Sequence, residues 1–225
     1  VNLVVVQKPT SEPIDLATAK NFLRVTTNAD DALIGILITA AREAVEVFTG
    51  RSIATKTYRQ GLDSFPYFTD SVISQQAYPP SYYAFPRAST TLWNYSQMIK
   101  LFAPPLVTIN SIKYAASDTG SIVTLDPSKY IVDSDSEPAR LFPGPAGATW
   151  PSVMYVPNAV EIEFIAGYDT DPSSAKEIPG ELQIAILMLA SHYYENRGEV
   201  AADIPNNIKQ LLWNQRVMDM QPTRG

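Results

Sequence analysis

The sequence predicts an α+β fold, with N- and C-terminal helices packed together beside a central antiparallel sheet of short strands. Three observations predict it. Apolar residues recur at three- and four-residue steps in residues 13–51 and again in 178–217, the mark of helices with one buried face. Between them, 52–168 holds seven or so short runs that alternate or are rich in β-branched and aromatic residues, separated by Pro-, Gly- and Asp-containing breaks. No internal repeat is visible, and a block of strands flanked by helices describes an α+β layout. The chain of 225 residues reads as a single domain: an N-terminal arm (1–12), a helical pair (13–51), a β region (52–168) with an insertion (66–97), C-terminal helices (178–217) and a tail (218–225).

Bulk properties narrow the function. There is no run of about eighteen apolar residues, so no transmembrane helix is expected. The opening VNLVVVQKPT lacks the basic lead and cleavage pattern of a signal peptide. The absence of cysteine excludes disulfides and thiolate metal sites, and fits a reducing compartment. The formal charge of -6 argues against a general duplex-DNA binder, which needs a positive footprint. An acidic protein can still surround DNA without gripping it.

Leu3 to Val6 reads as a short strand or extended arm ended by Pro9. Asp15 is placed to cap a first helix whose face is Leu16, Ala19, Phe22 and Leu23. The β-branched run Val25-Thr26-Thr27 stops it near Arg24. Asn28 is expected to cap the second helix, with Asp30 and Asp31 in its first turn, where the dipole favours anions. Its apolar stripe is Leu33, Ile34, Leu37, Ile38, Ala41, Val45 and Phe48, and Gly50 supplies the left-handed stop. The stripe is too wide for the first helix to cover. The rest of the core, or a neighbouring subunit, must pack there.

A strand follows at Ile53–Leu62. The insertion is rich in Pro, Ser and aromatics, including Tyr67, Tyr78, Tyr82, Tyr83, Trp93 and Tyr95, with a short strand near Ser71–Ser74. Loops this long are uncommon in compact domains and are often functional. Further strands are expected at Met98–Phe102, Val107–Ala115, Ser121–Leu125, Tyr130–Asp133, Ala139–Phe142 and Ala159–Ala166. Asp118-Thr119-Gly120 is a hairpin signal. Pro143–Pro151 forms a turn-rich loop around Trp150. Pro179 opens a helix faced by Leu182, Ala185, Ile186, Leu189, Ala190 and Tyr193 and stopped at Gly198. The last helix runs from Pro205 to Val217, with Ile208, Leu211 and Leu212 on one side.

Catalytic and metal-binding patterns are weak. No P-loop, dinucleotide fingerprint or G-x-S-x-G elbow occurs. The single histidine, His192, lies three residues from Glu195 and could touch it, which reads as a local contact. Glu161 and Glu163 share a strand face and invite a two-carboxylate glycosidase reading, although simple alternation explains them. Asp133, Asp135 and Glu137 resemble an acidic calcium loop without its glycine. No catalytic, metal or cofactor site is expected.

Several segments together resemble the head–tail connector family of tailed bacteriophages and gene transfer agents. They are EPIDLATAKNFLRV (Glu12–Val25), DDALIGILITAAREAVEVFTGRSI (Asp30–Ile53), APPLVTINSIKY (Ala103–Tyr114), LDPSKYIVDSDSEPARLFP (Leu125–Pro143), VEIEFIAGY (Val160–Tyr168) and IPGELQIAILMLASHYYENRGEV (Ile178–Val200). The helix pair ending in TGR and the closing helix ending in YENR carry most of the specificity. The Tyr-rich insertion departs from the family's shorter connection.

The resemblance implies a structural virion protein and no enzyme. Such a protein is made in the host cytoplasm and sits in the neck. There it forms a ring, commonly of twelve copies, beneath the portal, extends the DNA channel, and offers a platform to the stopper or tail-completion protein. DNA passes through without specific binding. The family's C-terminal segment docks on the portal, which here corresponds to Pro205–Gly225. Deleting it is expected to abolish portal binding while leaving the fold. Asp30, Asp31, Glu43 and Glu46 are candidates to face the channel. Two rival readings are a carbohydrate- or host-surface-binding module using Tyr82, Tyr83, Trp93 and Tyr95, and a glycoside hydrolase using Glu161 or Glu163.

Overall fold

A computed structural model describes residues 2–66, 97–144, 148–168, 177–196 and 204–217. The aromatics expected to form a binding surface, the strand at 71–74, the helix stop at Gly198 and the tail 218–225 lie outside these residues.

The described chain is α+β, as expected. In order it forms β1 (Asn2–Gln7), α1 (Leu16–Leu23), α2 (Asp31–Thr49), β2 (Lys56–Leu62), β3 (Ile99–Lys100), β4 (Leu106–Ala115) and β5 (Ile122–Thr124). It continues with β6 (Tyr130–Asp133), β7 (Arg140–Pro143), β8 (Val160–Ala166), α3 (Gly180–Glu195) and α4 (Asn206–Leu212). All strand pairings within the sheets are antiparallel. One sheet has the order β1-β2-β8-β4-β5 and the other β3-β7-β6.

The helices do not lie on the large sheet. They make their own core, in which Ile34, Ile38, Ala41 and Val45 of α2 meet Leu182, Ala185, Ile186 and Leu189 of α3 and Ile208 and Leu212 of α4. Each such Val, Leu or Ile side chain contributes about 1.5–3 kcal/mol on burial. The inner face of the large sheet is instead covered by the small one: Tyr58, Ile112, Ile162 and Phe164 pack with Ile99, Leu101 and Leu141. The alternation in β8 is the cause, since Val160, Ile162, Phe164 and Ala166 are buried while Glu161 and Glu163 are half-buried on the other face. Buried Gln60 ties the two sheets, donating to the Lys100 carbonyl at 2.9 Å and accepting from Phe102 N–H at 3.1 Å. Trp150, the expected anchor of its loop, stacks on Phe65 at 4.9 Å and donates to the Gln97 carbonyl at 2.7 Å.

Local signals mostly act as read. Asp15 accepts from Thr18 N–H at 2.6 Å, and α1 ends at Arg24, which takes a left-handed conformation at φ 57°. Gly50 ends α2 at φ 72°. Two details differ. Asn28 does not cap α2; its side-chain oxygen accepts from Lys20 at 2.7 Å, and Asp30 precedes the helix without a capping bond. Phe22, expected on the buried face of α1, is 41% exposed, and Ala19 is the residue of α1 that is fully buried. Strand β2 starts at Lys56 rather than Ile53 because the N–H groups of Ile53 and Ala54 are engaged by Glu46.

The β6–β7 connection is held by Asp133. Its carboxylate accepts from Ser136 Oγ at 2.7 Å and from Arg140. These two partners lower its pKa to about 2 from an ordinary 3.8. A depressed carboxylate pKa contributes stability that is complete above about pH 4 and is lost as pH falls through about 2. Urea unfolding midpoints of the wild type and Asp133→Asn are therefore expected to differ at pH 5 and to converge toward pH 2. A pH-independent difference would mean that ionisation of Asp133 is irrelevant.

Candidate functional site

Two charged residues of α2, Arg42 and Glu46, are turned the wrong way for a surface helix. Arg42 is 1% and Glu46 9% exposed, whereas Ile36 is 66% and Val47 86% exposed. The buried charges are fully paired, as buried charges must be. Arg42 bonds Glu12 through Nε at 2.7 Å and Glu46 through a terminal nitrogen at 2.7 Å. Glu46 also binds Lys56. Its other oxygen accepts from the N–H of Ile53 at 2.9 Å and of Ala54 at 3.2 Å. Burial opposes the Arg42 charge, but the bond to Glu12 and the fields of Glu46, Glu12 and Glu43 outweigh it and raise its pKa. The network joins the arm, the helical core and the first strand after it.

Arg51, next along, is a second junction. It donates to the Gln215 carbonyl at 2.6 Å and to the Tyr168 hydroxyl at 3.1 Å, and pairs with Glu137 at 2.6 Å. Thr49, Gly50 and Arg51 thus act as a unit: the Thr49 carbonyl accepts from Val217 N–H at 2.8 Å, Gly50 turns the chain, and Arg51 clamps the C-terminal turn. The Tyr194 hydroxyl donates to Asp30 at 2.6 Å, tying the closing helix to the start of α2.

The residues singled out for chemistry are engaged elsewhere. His192 accepts from the Asn196 side chain at 3.2 Å, while Glu195 accepts from Ser191 at 3.3 Å, so no His192–Glu195 contact is made. Glu161 lies 3.9 Å from Arg59, and Glu163 accepts from Asn110 at 3.2 Å. Both stand on the outer face of the sheet, a solvated ladder of mixed charge. Asp133 and Glu137 are taken by Arg140 and Arg51. Among the described residues no cluster of three or more His, Cys, Asp or Glu could hold a metal ion. Of the four acids expected at a channel, Glu46 is buried, Asp30 is bonded to Tyr194 and Asp31 pairs with Lys20 at 2.6 Å. Glu43 remains on the outer face of α2, with its side chain 64% exposed.

What remains for function is surface. Leu3, Val4, Val5 and Val6 are all exposed, at 38–49%, on an edge strand. At the far edge, Ile122 is 76% exposed and Tyr155 fully so, with Met154 and Val156 beside it. Helix α4 shows Trp213 beside a shallow cleft lined by Asn206, Lys209 and Gln210. Its other side is core, which corrects the expectation that 205–225 is dispensable for the fold: Ile208 and Leu212 are 2% and 0% exposed. The C-terminal segment 205–225 was expected to be a docking surface, whereas the exposure of Ile36 and Tyr155 follows from neighbours distant in sequence and has no local signal.

Among the described residues a helical bundle is joined to two packed sheets, with Arg42, Glu46 and Arg51 bonded at the junctions. Residues 13–79 match the model of a family described as phage gp6-like head–tail connector protein. The match spans the helix pair ending in TGR and bears out the family resemblance. Three solved chains share the fold over their full length and the full length of this one. One from the neck of an empty gene transfer agent particle, computed with C6 symmetry, has a TM-score of 0.71 and 19% identity. One from the virion of a native gene transfer agent particle has 0.69 and 21%. One from the neck of a native particle, computed with C12 symmetry, has 0.68 and 20%. No curated protein matches.

Proposed function

We propose that this chain is a structural adaptor of a virion neck, one that forms a ring under the portal, extends the DNA channel and links capsid to tail. The observation that carries the reading is the end-to-end likeness to chains of gene transfer agent necks, one of them twelvefold symmetric. The family match over residues 13–79 points the same way. A ring of identical copies needs heterologous, closing contacts, and the exposed apolar edges supply surface for them. The net charge of -6 suits a passage for DNA, because repulsion avoids the phosphate contacts that would anchor a duplex. Given the buried and paired state of α2's acids, that argument rests on net charge and not on Asp30, Asp31 or Glu46.

Portal docking is assigned to the tail 218–225 together with the exposed side of α4. A stopper or tail-completion protein takes the opposite rim. The direct test is electron microscopy of the purified chain mixed with its cognate portal. A second ring stacked coaxially on the portal is expected. Bare portal at saturating chain concentration would sink the reading.

A further inference from the structure

We infer that neighbouring copies in the ring meet through two diagonal corners of the five-stranded sheet, the hairpin end carrying Tyr155 on one copy entering the cleft between β1 and α2 on the next. The inference rests on the adaptor reading and adds which surfaces close the ring.

The receiving corner is defined by inverted polarity. A surface helix normally turns its charges to water and its apolar residues inward. In α2 the reverse holds at Ile36 and Val47, exposed at 66% and 86%, while Arg42 and Glu46 are buried. Beside it, β1 presents four consecutive apolar residues and an edge that no described strand pairs, with no charge or proline along it, the kind of edge that soluble chains otherwise protect. Between the two elements lies one cleft of about 290 Å³, lined by Val5 and Pro9 on the β1 side and by Thr39, Arg42 and Glu43 of α2. Lys8 stands at the same cleft and offers a donor to a phenolic oxygen, while Lys56 there is held by Glu46.

The entering corner lies across the sheet. Strand order puts β1 and β5 at opposite edges, four strand spacings or roughly 20 Å apart. The Met154 N–H bonds the Ala115 carbonyl at 2.9 Å, which fixes 153–156 against the β4–β5 hairpin. There Ile122, Met154, Tyr155 and Val156 are exposed together, and Tyr155 is fully free of its own chain. A tyrosine with an apolar ring and a polar tip is a favoured interface anchor. Two different patches on opposite sides of one subunit are what a heterologous contact requires, whereas an isologous dimer would need one self-complementary patch. The receiving cleft lies near the helical end of β1 and Tyr155 near the other end of the strands, so the strands must incline to the ring axis for the corners to meet.

The cysteine-free chain makes the contact testable by cross-linking. Rings assembled on portal from the double variant Tyr155→Cys/Glu43→Cys, treated with a short bismaleimide, are expected to give a ladder on denaturing gels up to the ring size. Each single variant is expected to stay monomeric on the gel. Independently, Tyr155→Ala and Val47→Glu are each expected to lower ring yield roughly tenfold or more, as loss of an interface anchor does. A 1:1 mixture of the two should form dimers through the one intact contact. Rings without a ladder, or a dimer from Tyr155→Cys alone, would overturn the inference and leave the adaptor reading standing. Portal binding lost in Val47→Glu while rings persist would assign the α2 face to the portal instead. If the wild type forms no ring, both fall together.

Discussion

Glu46→Ala is expected to lower the unfolding free energy by about 3–5 kcal/mol, the usual cost of removing one partner from a buried ion pair. The substitution removes an acceptor for two backbone N–H groups, those of Ile53 and Ala54, and a carboxylate partner for Arg42 and Lys56. Arg42 would keep Glu12 but remain buried with fewer partners, and an uncompensated buried donor costs more than a formed bond returns. A domain of this kind has only about 5–15 kcal/mol in hand, so the variant should unfold at a much lower urea concentration. Glu46→Gln separates the two contributions. It keeps an amide oxygen for Ile53 and Ala54 and loses the charge, and is expected to fall between wild type and Ala. Urea titrations followed by far-UV circular dichroism, compared at equal slope, read the difference. A loss under about 1 kcal/mol for Ala would show that the network is not what joins helices to sheet.

The same residue shows where the sequence stops being informative. On α2 the apolar period locates the buried face, and Ile34, Ile38, Ala41 and Val45 lie on it as read. Glu46 occupies a position that periodicity alone assigns to the polar remainder, because an acid scores as surface whatever it touches. Its partners, Lys56 and the N–H groups after Ser52, come from the start of β2 and the segment leading into it, whose placement no local pattern sets. The strands themselves were legible for a local reason: β8 alternates, Gly120 turns the hairpin at φ 64°, and Tyr130–Asp133 is bounded as expected. What covers the sheet was not legible. The short runs at Ile99–Lys100 and Arg140–Pro143 carry too few residues to show which face they present. Only the tertiary pairing of β3, β7 and β6 reveals a second sheet that covers the inner face of the first. The family motifs were readable as strings, but their mechanics were not. That Arg51 of TGR reaches Gln215, 164 residues away, is a long-range fact.

Two C-terminal truncations are expected to behave in opposite ways. Removing 218–225 should leave the unfolding midpoint within experimental error and abolish stacking on the portal. Removing 205–225 should destroy cooperative folding. The larger deletion takes out Ile208 and Leu212, both in the helical core. It also removes the bond from Val217 N–H to Thr49, the Gln215 carbonyl that Arg51 holds, and the Arg216 guanidinium, 5.1 Å from the Phe48 ring centre. Emptying one buried Leu or Ile site typically costs about 2–5 kcal/mol, and two such sites with their hydrogen bonds approach the whole stability of the domain. Leu212→Ala is the graded version, expected to lose about 2–5 kcal/mol while still folding. Near-UV circular dichroism and urea unfolding distinguish these outcomes, and sedimentation with portal reads docking. A cooperative, native-like protein ending at residue 204 would show that α4 is an appendage. Stacking retained after loss of 218–225 alone would refute docking through the tail and leave the Trp213 side of α4 to carry it.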